Sequence, residues 1–314
     1  LFLMGGAPTF AVFIAAYWLV QFANNFGGSA YSGLIPDLVP ADQRGIASGW
    51  MGLMTMLGTI AGAVATGLLV QRGYRFESYL VVVAVLALTL ALTMWKVREE
   101  RPTPAGPLRI GELLRDLWVN PRDHPDFAWL FVSRLVVLMG FYTVYNFAQF
   151  FLKDFMRIER FVEATGTLNA VVVAGALASA LAGGWLSDRT GRRAIVSGSG
   201  ILMAAAMLLF LISPTFELLL MLAVVFGLGY GAFVSVDWAL ATDVLPSKIA
   251  AAKHLGIWGI AATLPQVLAP LVGGPLLDVF NRREPNFGYI VLLAVGAAYL
   301  LLGSVLVWKI RGVR

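Results

Sequence analysis

The chain of 314 residues has no cysteine and only two histidines, His124 and His254. The lack of cysteine excludes disulfide bonds and thiolate metal sites, and two distant histidines do not suggest a metal centre. Charged residues are scarce, at 13%, where a soluble domain has about a quarter. Because the sequence shows no Walker lysine, nucleophile elbow or metal-spaced histidines, it predicts neither an enzyme nor a cofactor site.

Hydrophobic residues take the place of the missing charges and make up 59% of the chain. A soluble core of this length cannot bury so much apolar surface, so lipid is expected to cover the excess. The net charge is +5. Because Lys and Arg lie in short connectors between apolar runs, their placement favours the positive-inside tendency of membrane proteins over nucleic-acid binding.

Nine apolar runs are long enough to cross about 30 Å of hydrocarbon as helices. They are predicted near residues 9–36, 46–70, 78–96, 128–152, 166–186, 194–213, 216–244, 253–277 and 287–309. The side that holds the C-terminus carries about twice as many Lys and Arg in its connectors, including 187–193, so it is predicted to be cytoplasmic. The Pro-rich loop 97–126 is predicted to join a partial bundle, 1–96, to a six-helix bundle, 127–314, with a short surface helix near Arg109–Leu117.

A helix–loop–helix unit recurs half a protein apart. Gly28–Leu38 and Val234–Val244 lie in apolar runs that end in D-x-x-P, and Asp37 and Asp243 are the acids of the two copies. Such a repeat indicates two related halves, as in many secondary transporters. If the two halves are separated throughout by the distance between Asp37 and Asp243, the first half would begin about 80 residues before Leu1. The repeat therefore predicts three further spans there. A chain that lacks these spans is expected to transport little by itself.

A charged turn separates the fifth and sixth predicted spans. Residues Gly184–Arg193 read G-W-L-S-D-R-T-G-R-R and match every defined position of G-x-L-[AS]-D-[RK]-x-G-[RK]-[RK], the signature loop of the major facilitator superfamily. The chain therefore resembles this family. The resemblance implies an all-α polytopic fold of two bundles, here with helices four to twelve, and transport of a small solute by a monomer through alternating access.

The resemblance implies a gating role for the residues of this turn and for one acid on a neighbouring span. They are Gly184, Asp188, Arg189, Gly191, Arg192, Arg193 and Asp243. Gly184 is expected to let two helices approach closely, and Gly191 to permit a tight turn. In the family the acid of the loop, here Asp188, faces a helix N-terminus in the other half, near Ile46, and the arginines can pair with the acids. Two interpretations stay open, a gate that closes the cytoplasmic side and a basic turn that only sets topology.

Polar side chains inside the apolar runs are candidates for binding a substrate or a coupling ion. They are Asn24, Asn25, Arg134, Tyr145, Asn146, Gln149, Asp237 and Gln266. The resemblance implies that the first, fourth and seventh predicted spans line a central cavity, and these spans hold most of the set. Asp237 and Arg134 lie at similar depths, roughly 9 Å from a helix end, so they are predicted to pair. The pair either serves coupling or gating or only fixes packing, and each amide either binds a solute or joins two helices.

The predicted function is secondary active transport of a small solute across the cell (inner) membrane by a multi-pass protein. A gradient of H+, Na+ or another solute would drive it, because the sequence shows no ATP site. The alternatives are a ligand sensor or scaffold that does not transport, and an inactive transporter fragment. The glycines of Gly227–Gly231 imitate a nucleotide loop, but no strand precedes them, so close helix packing is predicted there.

Overall fold

The computed structural model describes residues 1–39, 54, 57–59, 61–62, 64–70, 72–97, 119–213, 215–246 and 251–312. These residues form helices and short connections and contain no β-strand. Eight of their helices are long and apolar enough to cross a membrane. About half of the predicted span 46–70 lies outside this part of the chain, and its second half forms a shorter apolar helix, Leu57–Val70. The predicted surface helix near Arg109–Leu117 lies outside the described residues.

The chain divides into two compact units, Leu1–Ile110 and Gly111–Arg314. The first unit contains α1 (Phe2–Gly5), α2 (Phe10–Leu38) and α3 (Arg75–Lys96). Gly5 of α1 lies close to α3, because a Cβ there would be 3.0 Å from ring atoms of Phe76 and Tyr79. Most of the described side chains in this unit are exposed, including Trp18, Phe22 and Phe26 on one face of α2. So much exposed apolar surface is suited to lipid and to helix neighbours rather than to water.

The second unit is a six-helix bundle. Its helices are α4 (Pro125–Phe150), which continues as a π-helix over Phe151–Phe155, α5 (Phe161–Thr190), α6 (Arg192–Phe210), α7 (Phe216–Asp243), α8 (Ala251–Asn281) and α9 (Phe287–Leu306). The helix α7 packs against α5 and α6, and α9 packs against α4, α6 and α8. Met203, Met207, Leu240 and Leu300 are fully buried at the centre. Apolar side chains at helical spacing thus fill one continuous core.

The closest helix contact in the bundle is between α5 and α7. A Cβ at Gly231 of α7 would collide with the carbonyl oxygen of Ala176 in α5, and a Cβ at Gly227 would collide with that of Val172. On the other side, a Cβ at Gly175 of α5 would lie 2.7 Å from a carbonyl oxygen of α7. Small residues let two backbones touch in this way. The close packing that the sequence predicts at Gly227–Gly231 is therefore confirmed.

Local signals explain where the helices begin and end. Pro125 occupies the first turn of α4, where a missing N–H is tolerated, and the Thr215 hydroxyl accepts a hydrogen bond from Leu218 N at 3.3 Å to cap α7. The predicted connector 187–193 is too long. The helix α5 continues to Thr190, and only Gly191 separates it from α6.

Gly191 explains this tight connection. Its φ of 94° and ψ of 140° lie in a region that is essentially restricted to glycine, so one residue is enough to turn the chain between two helices. Because Ser187, Asp188 and Thr190 keep helical geometry, the polar side chains of the turn did not end the helix; the glycine did.

Candidate functional site

Charged side chains from three helices and a buried histidine from a fourth lie at one end of the second unit. We call this end the tail face and define it by Asp126, Arg192, Asp243, His254 and Ile310. The Asp126 carboxylate accepts hydrogen bonds from the backbone N–H groups of Arg311 and Gly312, both at 2.8 Å. These contacts hold the end of the chain against the start of α4.

The arginines of the turn have three different environments on the tail face. Arg192 Nη1 lies 2.8 Å from Asp243 Oδ2 at the end of α7. The two atoms form an ion pair without the alignment of a hydrogen bond, since Arg192 Nη1 has no hydrogen-bond partner in the described part of the chain. Arg193 Nη1 donates to the carbonyl oxygen of Ile310 at 2.7 Å. Arg189 instead lies over the ring of Trp185, 3.9 Å from its centroid.

Asp188 and Gly184 of the turn do not make the contacts that were expected of them. Asp188 is exposed, and among the described residues it has neither a hydrogen-bond nor an ion-pair partner. Its expected neighbour near Ile46 lies outside the described residues. A Cβ at Gly184 would lie 3.2 Å from the Ser235 hydroxyl, whereas a Cβ at Gly183 would lie 2.8 Å from the backbone of Ala232. The tighter helix contact is therefore at Gly183, a position that the sequence analysis did not select.

A buried ion pair joins α4 to α7 inside the apolar part of the bundle. Nη1 of Arg134 donates to Oδ2 of Asp237, and the two side chains are 11% and 4% exposed. Ser133 and Val236, their chain neighbours, are also buried. The structure thus brings together the two charges that the sequence analysis expected to pair.

A third side chain completes this cluster. The guanidinium carbon of Arg134 lies 3.4 Å from the ring centroid of Trp258 in α8, which is a cation–π contact, and Trp258 packs edge-on against Trp238 of α7 at 4.8 Å. We call Arg134, Asp237 and Trp258 the buried triad. The sequence does not indicate Trp258 as a site residue, because a tryptophan in an apolar helix carries no signal of its own.

Aromatic rings line α4 further along the same face. Phe141 stacks on Tyr230 of α7 at a centroid distance of 4.0 Å and on Tyr145 at 5.8 Å. Tyr145 is half exposed, and Tyr142 packs edge-on against it at 6.2 Å. The rings therefore form a stack that begins in the core and ends at the surface of the unit.

The candidate amides do not form one cluster. Nδ2 of Asn146 is buried without a hydrogen-bond partner in the described part of the chain, whereas Gln149 is exposed. Gln266 is exposed, and its Nε2 donates to the carbonyl oxygen of Ala262 in its own helix at 3.1 Å. In the first unit Asn24 is exposed on α2, and Asn25 belongs to the same helix, although its side chain lies outside the described part.

One further polar contact was not expected from the sequence. The Tyr289 hydroxyl of α9 donates to Oδ2 of Asp154 at 2.7 Å, and Asp154 belongs to the π-helix Phe151–Phe155. The contact ties the end of α4 to the start of α9. Among the described residues, no group of three or more His, Asp or Glu could hold a metal ion.

The fold and the buried charges describe a polytopic helical membrane protein, and comparison with known proteins gives its family. The chain matches the family model described as Major Facilitator Superfamily over residues 1–252 and again over residues 161–313. The chain belongs to the Major Facilitator Superfamily. This family consists of transporters rather than enzymes, so the predicted family, fold class and absence of enzyme activity are confirmed.

Three curated relatives show how far the similarity extends. The minor myo-inositol transporter IolF of Bacillus subtilis is 31% identical over 112 residues, which cover 34% of this chain and 25% of the relative. The putative metabolite transport protein YdjK of Escherichia coli is 26% identical, over 46% of this chain and 31% of its own. The cis,cis-muconate transport protein of Acinetobacter baylyi is 23% identical, over 95% and 75%. The matches thus span about a quarter to a third of the first two relatives.

A solved structure supports the fold. A bacterial homologue of the human lysosomal transporter Spinster, in an inward-facing and unoccupied conformation, matches with a TM-score of 0.54 and 18% identity. The match covers 88% of this chain and 74% of that chain. At this identity the likeness concerns the fold alone. The three spans predicted before Leu1 stay a prediction.

Proposed function

We propose that this protein is a secondary transporter that moves a small solute across the cell (inner) membrane by alternating access. The buried triad is the observation that carries the proposal. Two opposite charges are expensive to desolvate, and a buried ion pair adds little net stability compared with apolar packing. Charged groups inside membrane helices therefore mark a functional site by default. Two of the relatives named above are transporters of small solutes, myo-inositol and cis,cis-muconate, which agrees with this function.

Energy for transport would come from a gradient of H+ or Na+. Asp237 is the acid placed to bind the coupling cation. When that cation is absent, the guanidinium of Arg134 beside it can neutralise its charge. In this scheme Arg134 and the coupling ion alternate as partners of Asp237. The structural alternative is that the Arg134–Asp237 pair only fixes the packing of α4 against α7.

Transport is tested in proteoliposomes with the whole reading frame in which this sequence lies, together with the 314-residue chain by itself. The solute panel contains a polyol and a dicarboxylate, and counterflow measures exchange without a gradient. Exchange of at least one solute supports a transporter, whereas binding without exchange supports a sensor or scaffold. Robust uptake by the 314-residue chain alone would contradict the prediction that it transports little.

Asp237→Asn tests coupling, because the amide keeps the shape of the side chain and removes its charge. We expect gradient-driven accumulation to be lost, while exchange between equal solute concentrations persists. Asp278→Asn near the end of α8 is the matched control and should accumulate solute as the wild type does. If Asp237→Asn accumulates solute normally, with unchanged pH and Na+ dependence, the coupling role is wrong.

We further propose that Arg192 and Asp243 form a gate on the tail face, together with the Gly184–Arg193 turn. The pair joins the start of α6 to the end of α7 and is partly exposed, so its ion pair can open and re-form at moderate cost. In the static alternative the turn only sets topology.

The absence of cysteine makes a reporter of gating simple to build. Ala241 of α7 is fully buried two residues before Asp243, so Ala241→Cys should react with a maleimide only when the tail face opens. In that background we expect Arg192→Gln to speed labelling several-fold. Arg160→Gln, which removes an exposed arginine before α5, is the control and should leave the rate unchanged. Equal rates in both variants would contradict the gate.

We propose that the tail face is cytoplasmic, as the charge asymmetry of the connectors predicts, and that loop 97–126 joins bundles 1–96 and 127–314 on that side. Arg311→Cys on the tail face and Arg160→Cys at the other end of the bundle test this orientation. In intact cells an impermeant maleimide should label Arg160→Cys only, and permeabilised cells should allow labelling of both. The reverse pattern would show that the orientation is inverted.

A further inference from the structure

Two buried hydrogen-bond donors of the buried triad lack an acceptor among the residues that the structure describes. They are Nε of Arg134 and Nε1 of Trp258, and neither meets an acceptor in the part of the chain that the structure describes. Trp258 is only 3% exposed, so its indole N–H is shielded from water. A buried donor without an acceptor is unfavourable, and native structures contain few of them. Two of them in side chains that touch each other indicate a site that a ligand completes.

The geometry around Arg134 shows which part of its guanidinium is free. Nη1 is used by Asp237, and the guanidinium carbon lies over the ring of Trp258, 3.4 Å from its centroid. The Nε edge therefore remains for another acceptor. Because this cation–π contact brings the indole against the guanidinium, the second free donor, Trp258 Nε1, belongs to the same small region.

The chemistry of the free donors selects the kind of ligand. Both Nε of Arg134 and Nε1 of Trp258 donate and cannot accept, so the group that binds them must supply acceptors, and a group with acceptors alone suits them best. A carboxylate is such a group, and hydrogen bonds between a guanidinium and a carboxylate are among the strong ones. A hydroxyl group also carries a donor, which these two nitrogens cannot satisfy. A polyol therefore fits this position less well than an anion.

Charge balance agrees with the proposed coupling. Asp237 already neutralises Arg134, so a bound carboxylate would leave the triad with one uncompensated negative charge. The coupling cation, H+ or Na+, would restore neutrality. A carboxylate substrate and a cation would then enter the site together, as cotransport requires.

We propose that the substrate is a small carboxylate whose oxygen atoms accept hydrogen bonds from Nε of Arg134 and Nε1 of Trp258. The proposal rests on the transport function and deepens it, because it assigns the substrate class and adds Trp258 to the binding residues. Asp237 then lies beside the substrate on the same guanidinium.

The test measures ligand binding to the purified protein by calorimetry and by the thermal unfolding midpoint. The probes are acetate, succinate and benzoate, each compared with its neutral amide. A ligand that binds only the folded state raises the unfolding midpoint. We expect at least one carboxylate to bind and to raise the midpoint, and its amide to have no such effect. If no carboxylate of the panel binds better than its amide, the proposal is wrong.

Two variants locate the site. Trp258→Phe keeps an aromatic ring against Arg134 and removes only the N–H, so it should weaken carboxylate binding by about tenfold or more. Trp238→Phe makes the same change in the neighbouring tryptophan, which contacts Trp258 but has no cation–π contact with Arg134, and it should bind as the wild type does. Equal affinities of wild type and Trp258→Phe would overturn the proposal.

A measurement on the unaltered protein avoids dependence on the folding of a variant. In a sample labelled with ¹⁵N at tryptophan, the indole N–H resonance of Trp258 should shift when benzoate is added and stay in place when benzamide is added. Absence of a carboxylate-dependent shift overturns the assignment of this site.

The outcomes separate this inference from the proposed function. Counterflow of a neutral solute, with no carboxylate binding, refutes the proposal of a carboxylate substrate and leaves the proposal of transport standing. Carboxylate binding that Trp258→Phe abolishes, with no counterflow, refutes transport and leaves the binding site intact.

Discussion

Gly231 of α7 lies directly against the backbone of Ala176 in α5. A Cβ at Gly231 would fall 2.5 Å from the Cα of Ala176 and would collide with its carbonyl oxygen. Both of these atoms belong to the backbone, which cannot rotate away as the nearby Ser179 hydroxyl can. This contact lets α5 and α7 approach closely, and Asp237 lies less than two turns further along α7.

Gly231→Ala should therefore destabilise the protein by about 1–3 kcal/mol, because the added methyl overpacks a rigid contact. Gly198→Ala in α6 is the matched control, since a Cβ there has no atom within 4 Å. Thermal unfolding in detergent, followed by circular dichroism, compares the two variants. Equal unfolding midpoints would show that α5 and α7 can move apart at this point without loss of stability.

Gly191→Ala should destabilise the turn between α5 and α6. With φ at 94° and ψ at 140°, a residue with a Cβ is strained by about 1–3 kcal/mol. We expect a lower unfolding midpoint and faster proteolysis at the turn, and Gly198→Ala again serves as the control within α6. A Gly191→Ala protein with wild-type stability would contradict the strained conformation.

The Arg134–Asp237 pair should show strong energetic coupling in a double-mutant cycle. Arg134→Gln alone leaves a buried carboxylate without its cation, which should reduce the free energy of unfolding by about 3–5 kcal/mol. Asp237→Asn alone leaves a buried cation and should act in the same direction. The double variant should lose less stability than the sum of the two single variants.

The exposed pair Arg160–Glu163, with atoms 3.6 Å apart, is the control for this cycle. Its coupling, measured with Arg160→Gln and Glu163→Gln, should stay below about 1 kcal/mol, since water and salt screen it. Additive effects of the Arg134 and Asp237 changes would show that the buried contact contributes no interaction energy.

Tyr289→Phe should loosen the π-helix at the end of α4. The change removes the hydroxyl that donates to Asp154 at 2.7 Å and keeps the buried ring. Because Asp154 is exposed and can bind water instead, we expect a loss of only about 1 kcal/mol and faster hydrogen exchange over Phe151–Phe155. Tyr299→Phe, on the same helix and without such a hydrogen bond among the described residues, should leave this exchange unchanged.

Hydropathy predicted most of the secondary structure, because lipid requires long apolar helices whose backbones are satisfied internally. The fourth to the ninth predicted spans each correspond to a helix of the second unit. The connector at Asp188 was predicted too long, since charge was taken as the sign of a loop. Only Gly191 has the backbone conformation that ends a helix there.

The part of the candidate site that could be predicted is the part that depends only on how deep a residue lies in its helix. Asp237 and Arg134 are charges in apolar runs at similar depths, so their pairing could be expected before the structure. Depth does not identify Trp258, because an apolar helix hides an aromatic residue among many others. Nor does depth distinguish Arg192 from Arg189. The two differ in partner because Arg189 lies in the last turn of α5, whereas Arg192 begins α6.

The sequence by itself determined that the chain crosses a membrane as helices, that six of them follow residue 125, and that a glycine turns the chain between α5 and α6. These properties depend on residue type and on spacing along one helix. Only the tertiary structure decided that Arg192 pairs with Asp243, that Gly183 and Gly231 are the tight contacts, and that Trp258 covers Arg134. Such contacts depend on the rotation and tilt of each helix against its neighbours, which the packing of the whole bundle sets.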